Sequence, residues 1–197
     1  SGGTAIIGSD VLNAQIYTWN SSTTLWVYQG PEIGDLGGHR YRSFGLSVAL
    51  SADGDTAIGG TPEFDGNDSE SGQAQIYTRN RRTTSWVQQG QDIYGEAAGD
   101  RFGQSVALSA DGGTAIIGAP QNDGNGVDSG QARIYTWNGT HAWELQQKIH
   151  GEFAGDRFGW SVALSADGGT AIIGAARNDG NGGNGSYSGH ARIYTRN

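Results

Sequence analysis

Apolar residues along the chain fall in short runs of four to six, separated by Gly, Asn, Asp and Ser. Four kinds of run recur in a constant order. Run A is Ser-Val-Ala-Leu-Ser, at Ser47 to Ser51, Ser105 to Ser109 and Ser161 to Ser165. Run B is Thr-Ala-Ile-Ile-Gly or a close variant, at Thr4 to Gly8, Thr56 to Gly60, Thr114 to Gly118 and Thr170 to Gly174. Run C centres on Ile-Tyr, at Ala14 to Tyr17, Ala74 to Tyr77, Ala132 to Tyr135 and Ala191 to Tyr194. Run D opens on Trp26, Trp86 and Trp143. Such short, β-branched runs bounded by turn residues predict strands, and none holds a 3.6-residue period long enough for a helix. The A–B links, Ala-Asp-Gly-Gly or Ala-Asp-Gly-Asp, read as tight hairpins with Gly54, Gly112 and Gly168 at positive φ. The C–D links, such as Asn138-Gly139-Thr140, carry turn chemistry as well. Each unit is therefore predicted to be a four-stranded antiparallel meander.

Self-similarity at this period points to a repeat architecture. An all-β chain of repeated four-stranded sheets predicts a β-propeller, which manages strand edges by radial repetition. A sandwich or solenoid with the same strand count is the competing arrangement. The small residues of runs A and B suit a crowded axis, and the Trp, Gln and Glu of run D suit a wider, wetter rim. The run order is BCD, ABCD, ABCD, ABC, about three and a half blades. It divides the chain into a partial blade 1–43, blades 44–101 and 102–157, and a partial blade 158–197. Ile6, Ile58, Ile116 and Ile172 are expected between blades, with Val48, Val106 and Val162. The incomplete end blades predict that the chain does not stand as a closed monomer. A second copy or another chain is expected against Thr4 to Gly8 and Ala191 to Arg196.

The residues that carry the repeat also carry a resemblance. Phe102 to Ala119 reads FGQSVALSADGGTAIIGA and Phe158 to Ala175 reads FGWSVALSADGGTAIIGA, with a third copy from Phe44. This pattern resembles the FG-GAP repeat family, most closely its bacterial-type variety and distantly the integrin α-subunit head. The resemblance implies a propeller in an extracellular adhesion or binding protein. Integrin-type repeats carry an aspartate-rich calcium loop between the FG and GAP elements. Here that place is only Ala110 to Gly113, too short and with one carboxylate, so the family's calcium site does not carry over.

Composition narrows the class. Of 197 residues 35 are Gly and only 3 are Pro, which excludes collagen and Pro-rich linkers. There is no Cys, hence no disulfide scaffold, thiolate metal site or cysteine nucleophile. The net charge of -8 argues against nucleic acid, whose binding rests on phosphate neutralisation. No apolar run approaches the ~18 residues of a membrane span. The Arg79-Asn80-Arg81-Arg82 cluster and the Arg40, Arg42 pair read as solvated turns. The four His show no metal-ligand spacing. Asn20, Asn67, Asn138 and Asn184 open N-x-S/T motifs, weak support for secretion.

Up-down connectivity places the B–C and D–A loops on one face, where binding usually sits. Asn-Asp-Gly-rich B–C loops offer oxygen ligands at Asp65, Asn67, Asp68, Asp123, Asn125, Asp128, Asp179 and Asn181. Turn hydrogen bonding is the plainer reading and calcium the alternative; no cofactor is assigned and no metal ligands are named. Asp100, Arg101, Asp156 and Arg157 recur beside the FG, as a ligand clamp or as structural anchors. Positions that differ between repeats are the better candidates for function. These are Leu46, Gln104 and Trp160, then Glu63, Gln121 and Arg177, with Tyr94 and His150. Trp160 at a propeller mouth would stack on a sugar or pack between blades. No nucleophile constellation appears, so no catalytic residue is named and the chain is expected not to be an enzyme. The expected function is an extracellular, secreted binding or adhesion module for a carbohydrate or protein ligand. A structural component of a larger secreted toxin or defence protein is the alternative.

Overall fold

The computed structural model describes residues 3–8, 13–30, 33–34, 44–178 and 188–196. Among them lie fifteen strands, no helix, and four antiparallel sheets. Sheet I holds β1 (Thr4–Gly8), β2 (Ala14–Asn20) and β3 (Leu25–Tyr28). Sheet II holds β4 (Ser47–Leu50), β5 (Thr56–Thr61), β6 (Gln73–Arg79), β7 (Trp86–Gln88) and β8 (Ile93–Tyr94). Sheet III holds β9 (Ser105–Leu108), β10 (Thr114–Ala119), β11 (Gln131–Trp137) and β12 (Trp143–His150). Sheet IV holds β13 (Phe158–Leu164), β14 (Thr170–Ala175) and β15 (His190–Thr195). Every run thus pairs in chain order, A with B, B with C, C with D. The extra strand arises because run D of sheet II breaks at Gly90 into β7 and β8, both paired to β6.

Consecutive sheets pack face to face, and β4, β9 and β13 touch from sheet to sheet. The outer strands β3, β7 and β12 make no comparable contact with one another among the described residues. The sheets therefore converge at run A and fan apart at run D. Three apolar layers result. Ile6 and Ile16 of sheet I meet Phe44, Val48 and Tyr77 of sheet II. Ile58, Ile76 and Ile93 meet Phe102, Val106, Ile117, Tyr135 and Trp143 of sheet III. Ile116 and Ile149 meet Phe158, Val162, Ile173 and Tyr194 of sheet IV.

The signature residues make these layers close. Phe44, Phe102 and Phe158 are fully buried. The Gly after each Phe has positive φ, +94° at Gly45, +93° at Gly103 and +88° at Gly159. Its carbonyl lies against the strand-B Gly of the preceding sheet, so a Cβ on Gly8, Gly60 or Gly118 would overlap backbone. The run-A Ser adds a tie: Ser47 Oγ donates to Gly103 O at 2.7 Å, and Ser105 Oγ to Gly159 O at 2.8 Å. The A–B turns link sheets at the other end, where Ala52 N donates to Ala110 O and Ala110 N to Ala166 O, each at 2.8 Å. Gly54, Gly112 and Gly168 have φ of +72°, +70° and +67°, as the hairpin predicts.

Two sequence expectations need correction. Ile58 and Ile116 are fully buried, but Ile172 is exposed, because no described residue covers that face of sheet IV. Run D is also not uniformly a wet rim. Trp143 is buried: its Nε1 donates to Gln89 O at 3.0 Å, and Gln91 Nε2 donates to Trp143 O at 2.9 Å. Gln89 and Gln91 lie in the break of run D of sheet II, where Gln89 meets the indole N–H and Gln91 the backbone of Trp143.

Candidate functional site

Loop contacts establish the two faces. On one, Arg81 of a C–D turn pairs with Asp53, at 3.2 Å, and with Asp55 of an A–B turn. The one basic cluster is thereby neutralised in part. On the other face, each D–A loop is tied to a B–C loop. Gly99 N donates to Ser69 O at 2.9 Å, and Gly155 N to Val127 O at 2.8 Å.

The recurring Asp and Arg build this face. Asp100 is buried, and its Oδ2 accepts from Glu96 N, Ala97 N and Asn122 Nδ2, each at 3.1 Å. Asp156 is buried too and accepts from Phe153 N at 3.0 Å. Both are loop anchors rather than exposed clamps. Arg101 and Arg157 take the left-handed conformation, φ +54° each, and so do their partners Glu70 at +49° and Asp128 at +54°. Arg101 pairs with Glu70 at 3.3 Å and Arg157 with Asp128 at 3.5 Å. Each Arg N–H also donates to its partner's carbonyl. The motif staples a D–A loop to the preceding B–C loop.

The oxygen-rich B–C residues act in the same framework. Asp65 Oδ1 accepts from Glu70 N and Asp123 Oδ1 from Asp128 N, both at 2.8 Å. Asn67 Nδ2 donates to Gly95 O at 3.1 Å and Asn125 Nδ2 to Gly151 O at 2.8 Å. Among the described residues no three His, Asp or Glu gather as a metal site. Asp179, Asn181, Asn184, His39, Arg40 and Arg42 lie outside the described residues. Asn20 and Asn138 cap their own turns, with Asn20 Oδ1 accepting from Ser22 N at 2.9 Å and Asn138 Oδ1 from Thr140 N at 3.1 Å.

The variable positions divide. Leu46 and Trp160 are exposed, while Gln104 is half-buried. Glu63 and Arg177 are exposed and Gln121 is half-buried. Tyr94 donates to Asp92 Oδ2 at 2.9 Å and stacks on Phe64, 5.9 Å between centroids, which makes it a structural residue. His150 lies 3.4 Å from Gln131 Nε2 in the seam of sheet III.

One D–A loop stands apart. The segment from Glu152 to Trp160 exposes Phe153 by 57% and Trp160 by 44%, and the B–C loop tied to it exposes Val127 by 71%. The equivalent positions one sheet earlier are Ala97, Gln104 and Ser69. The Arg157 guanidinium lies 5.9 Å from the Trp160 ring centroid. Phe153 also walls a pocket of about 350 Å³ with Glu152, Asn178, Ser188, His190 and Arg192. Glu152 is paired with Arg192, whose hydrogen bond holds the carboxyl below its ordinary range. The pocket thus joins an aromatic face to a carboxylate, an amide and an imidazole. Phe153 and Val127 were missed from sequence, although their departure from Ala97 and Ser69 was a readable signal.

The FG-GAP repeat family matches residues 95–135 and 143–194, and these segments are FG-GAP repeats. No curated protein matches the chain. Among solved structures the chain is similar to the periplasmic gluconolactonase of Pseudomonas aeruginosa, with a TM-score of 0.55 and 13% identity. The match covers 89% of this chain and 47% of that one, so this chain spans about half the length of that structure. At this identity the likeness concerns the fold. It nonetheless overturns the expectation that the chain is not an enzyme. A protein titled as a lactonase has this fold, so a missing nucleophile motif does not exclude catalysis.

Proposed function

We propose that the four sheets are blades of a β-propeller-type module, about three and a half per chain, and that its loop face binds a carbohydrate. The observation that supports this reading is the Glu152 to Trp160 loop, which exposes Phe153 at a polar pocket and Trp160 further along, where the preceding repeat has Ala97 and Gln104. A sugar presents a flat patch of C–H groups and a rim of hydroxyls. The Phe153 ring at the pocket, with Trp160 further along the same loop, meets the first, and Glu152, Asn178 and His190 meet the second. Such a site is concave, part apolar, with a few convergent polar groups. An exported location accords with this role and with the periplasmic title of the similar structure.

The test is a glycan array followed by calorimetry on the best ligand. Phe153→Ala and Trp160→Ala leave the fold intact, since both side chains are exposed, and weaken binding by about tenfold or more. Leu46→Ala, at the repeat position matching Trp160, leaves affinity unchanged. A blank array with the folded chain, or equal affinity in all three variants, overturns the proposal.

A further inference from the structure

The C–D turns of sheets I, II and III share one construction. Each opens on an Asn where strand C ends, and its Oδ1 accepts from the backbone N–H two residues on: Asn20 from Ser22 at 2.9 Å, Asn80 from Arg82 at 2.9 Å, Asn138 from Thr140 at 3.1 Å. The N–H three residues on does the same, from Thr23, Thr83 and His141. Arg82 shows that the turn needs no particular side chain at its third position, since the backbone makes the cap. The hydroxyls of Ser22 and Thr140 are therefore surplus to the turn. Asn followed two residues on by Ser or Thr, with no Pro between, is the acceptor pattern for an N-linked glycan. In the Asn138 turn Thr140 Oγ1 lies 3.1 Å from the amide oxygen. Gly139 and Thr140 are exposed, and nothing lies within 4 Å of a Cβ position on Gly139. Asn138 Nδ2 donates to Glu144 Oε1 at 3.1 Å, an exposed side chain that can turn away into water. Asn20 and Ser22 are exposed, and so is Asn80 in sheet II, so the openness belongs to the turn.

Asn67-Asp68-Ser69 has the same pattern in the opposite setting. Ser69 N donates to Asp68 Oδ1 at 2.8 Å instead of to the Asn. Asn67 Nδ2, the atom that would carry the sugar, ties its loop to Gly95 O at 3.1 Å. Asn125 makes the matching tie to Gly151 O with Val127, not a hydroxyl residue, two positions on. We propose that Asn138 and Asn20 are N-glycan acceptors and that Asn67 is not. The donor is an oligosaccharide carried on a polyprenyl pyrophosphate. Nδ2 attacks the anomeric carbon and a C–N bond forms. The bond from that carbon to the pyrophosphate oxygen breaks, the pyrophosphate leaves with the electron pair, and Nδ2 gives up one proton. Such transfer requires the exported location proposed above. Both acceptors lie on the face away from the B–C and D–A loops, which leaves those loops free for a ligand.

The experiment reads glycan occupancy in the full chain, secreted from a eukaryotic host behind a signal peptide and also isolated from its native source. Peptide-N-glycanase leaves Asp where it removes a glycan, so peptide mapping assigns each site. In both preparations Asn138 and Asn20 are occupied and Asn67 is bare. In the secreted chain Thr140→Ala keeps the Asn138 cap, retains the wild-type circular dichroism spectrum and loses one glycan mass. Arg82→Thr, in a turn already built alike, gains one at Asn80. A bare Asn138, an occupied Asn67 or no gain in Arg82→Thr overturns the turn as the feature that selects the acceptor. Glycan on the secreted chain with none on the native one overturns the modification itself. Neither result bears on carbohydrate binding, which the glycan array reads separately.

Discussion

At the scale of single residues, glycine in this chain does two separable jobs. At Gly103 the positive φ and the crowding act together, for a Cβ there would overlap the Gln73 carbonyl and press on Gly60. At Gly99 the φ is +78° but nothing lies within 4 Å of the Cβ position. Gly99→Ala therefore carries only the backbone penalty, about 1 kcal/mol. Gly103→Ala adds the loss of contact between sheets and exceeds about 3 kcal/mol. Urea denaturation of both variants checks the difference, and equal losses would mean that the FG glycine serves conformation alone. The same comparison gives the family signature its physical content. The Phe fills the layer between sheets, and the two glycines let backbones meet where no side chain fits.

The A–B hairpin is the element that recurs with least change, and its chemistry predicts an acid response. Ser51, Ser109 and Ser165 each donate to an Asp two residues on, at 2.6, 2.6 and 2.5 Å. Each Ser Oγ also accepts from the Thr N–H across the turn at 2.9 Å. The serine bond, with a backbone N–H beside it, holds Asp53, Asp111 and Asp167 below their ordinary carboxylate value. A carboxyl whose folded pKa is depressed favours the folded state above its unfolded value, about 3.9, and loses that contribution as pH falls through the folded pKa. Urea midpoints should therefore drop as pH is lowered below about 4. Asp111→Asn should flatten part of that drop, while Glu152 and Glu96 continue to titrate in the same sense. Parallel curves for the variant and the wild type would exclude the hairpin as a source. These hairpins were legible in sequence, since Ala-Asp-Gly admits few backbone shapes. The split of run D was not, because it depends on Trp143 of another sheet reaching Gln89 and Gln91. The loop candidates were half legible. Repetition marked Asp100 and Asp156, but only the fold shows them buried as anchors, and only the fold carries Phe153 to the wall of a pocket.

For the whole molecule, stability in a stack of repeats is approximately a sum of intrinsic terms and nearest-neighbour interfaces. Sheets II and III are covered on both faces. Among the described residues, sheets I and IV are covered on one face, and β15 alternates half-buried and exposed along its length while β10 is buried throughout. Local opening follows this asymmetry, because the free energy of opening tracks the apolar contacts that must be broken. Amides of β14 and β15 should therefore exchange with solvent well before those of β5, β6, β10 and β11. Hydrogen exchange read by mass spectrometry resolves these segments. Uniform protection across all four sheets would show instead that the stack opens as one unit, with the cost of opening set by the whole array rather than by each sheet's own neighbours.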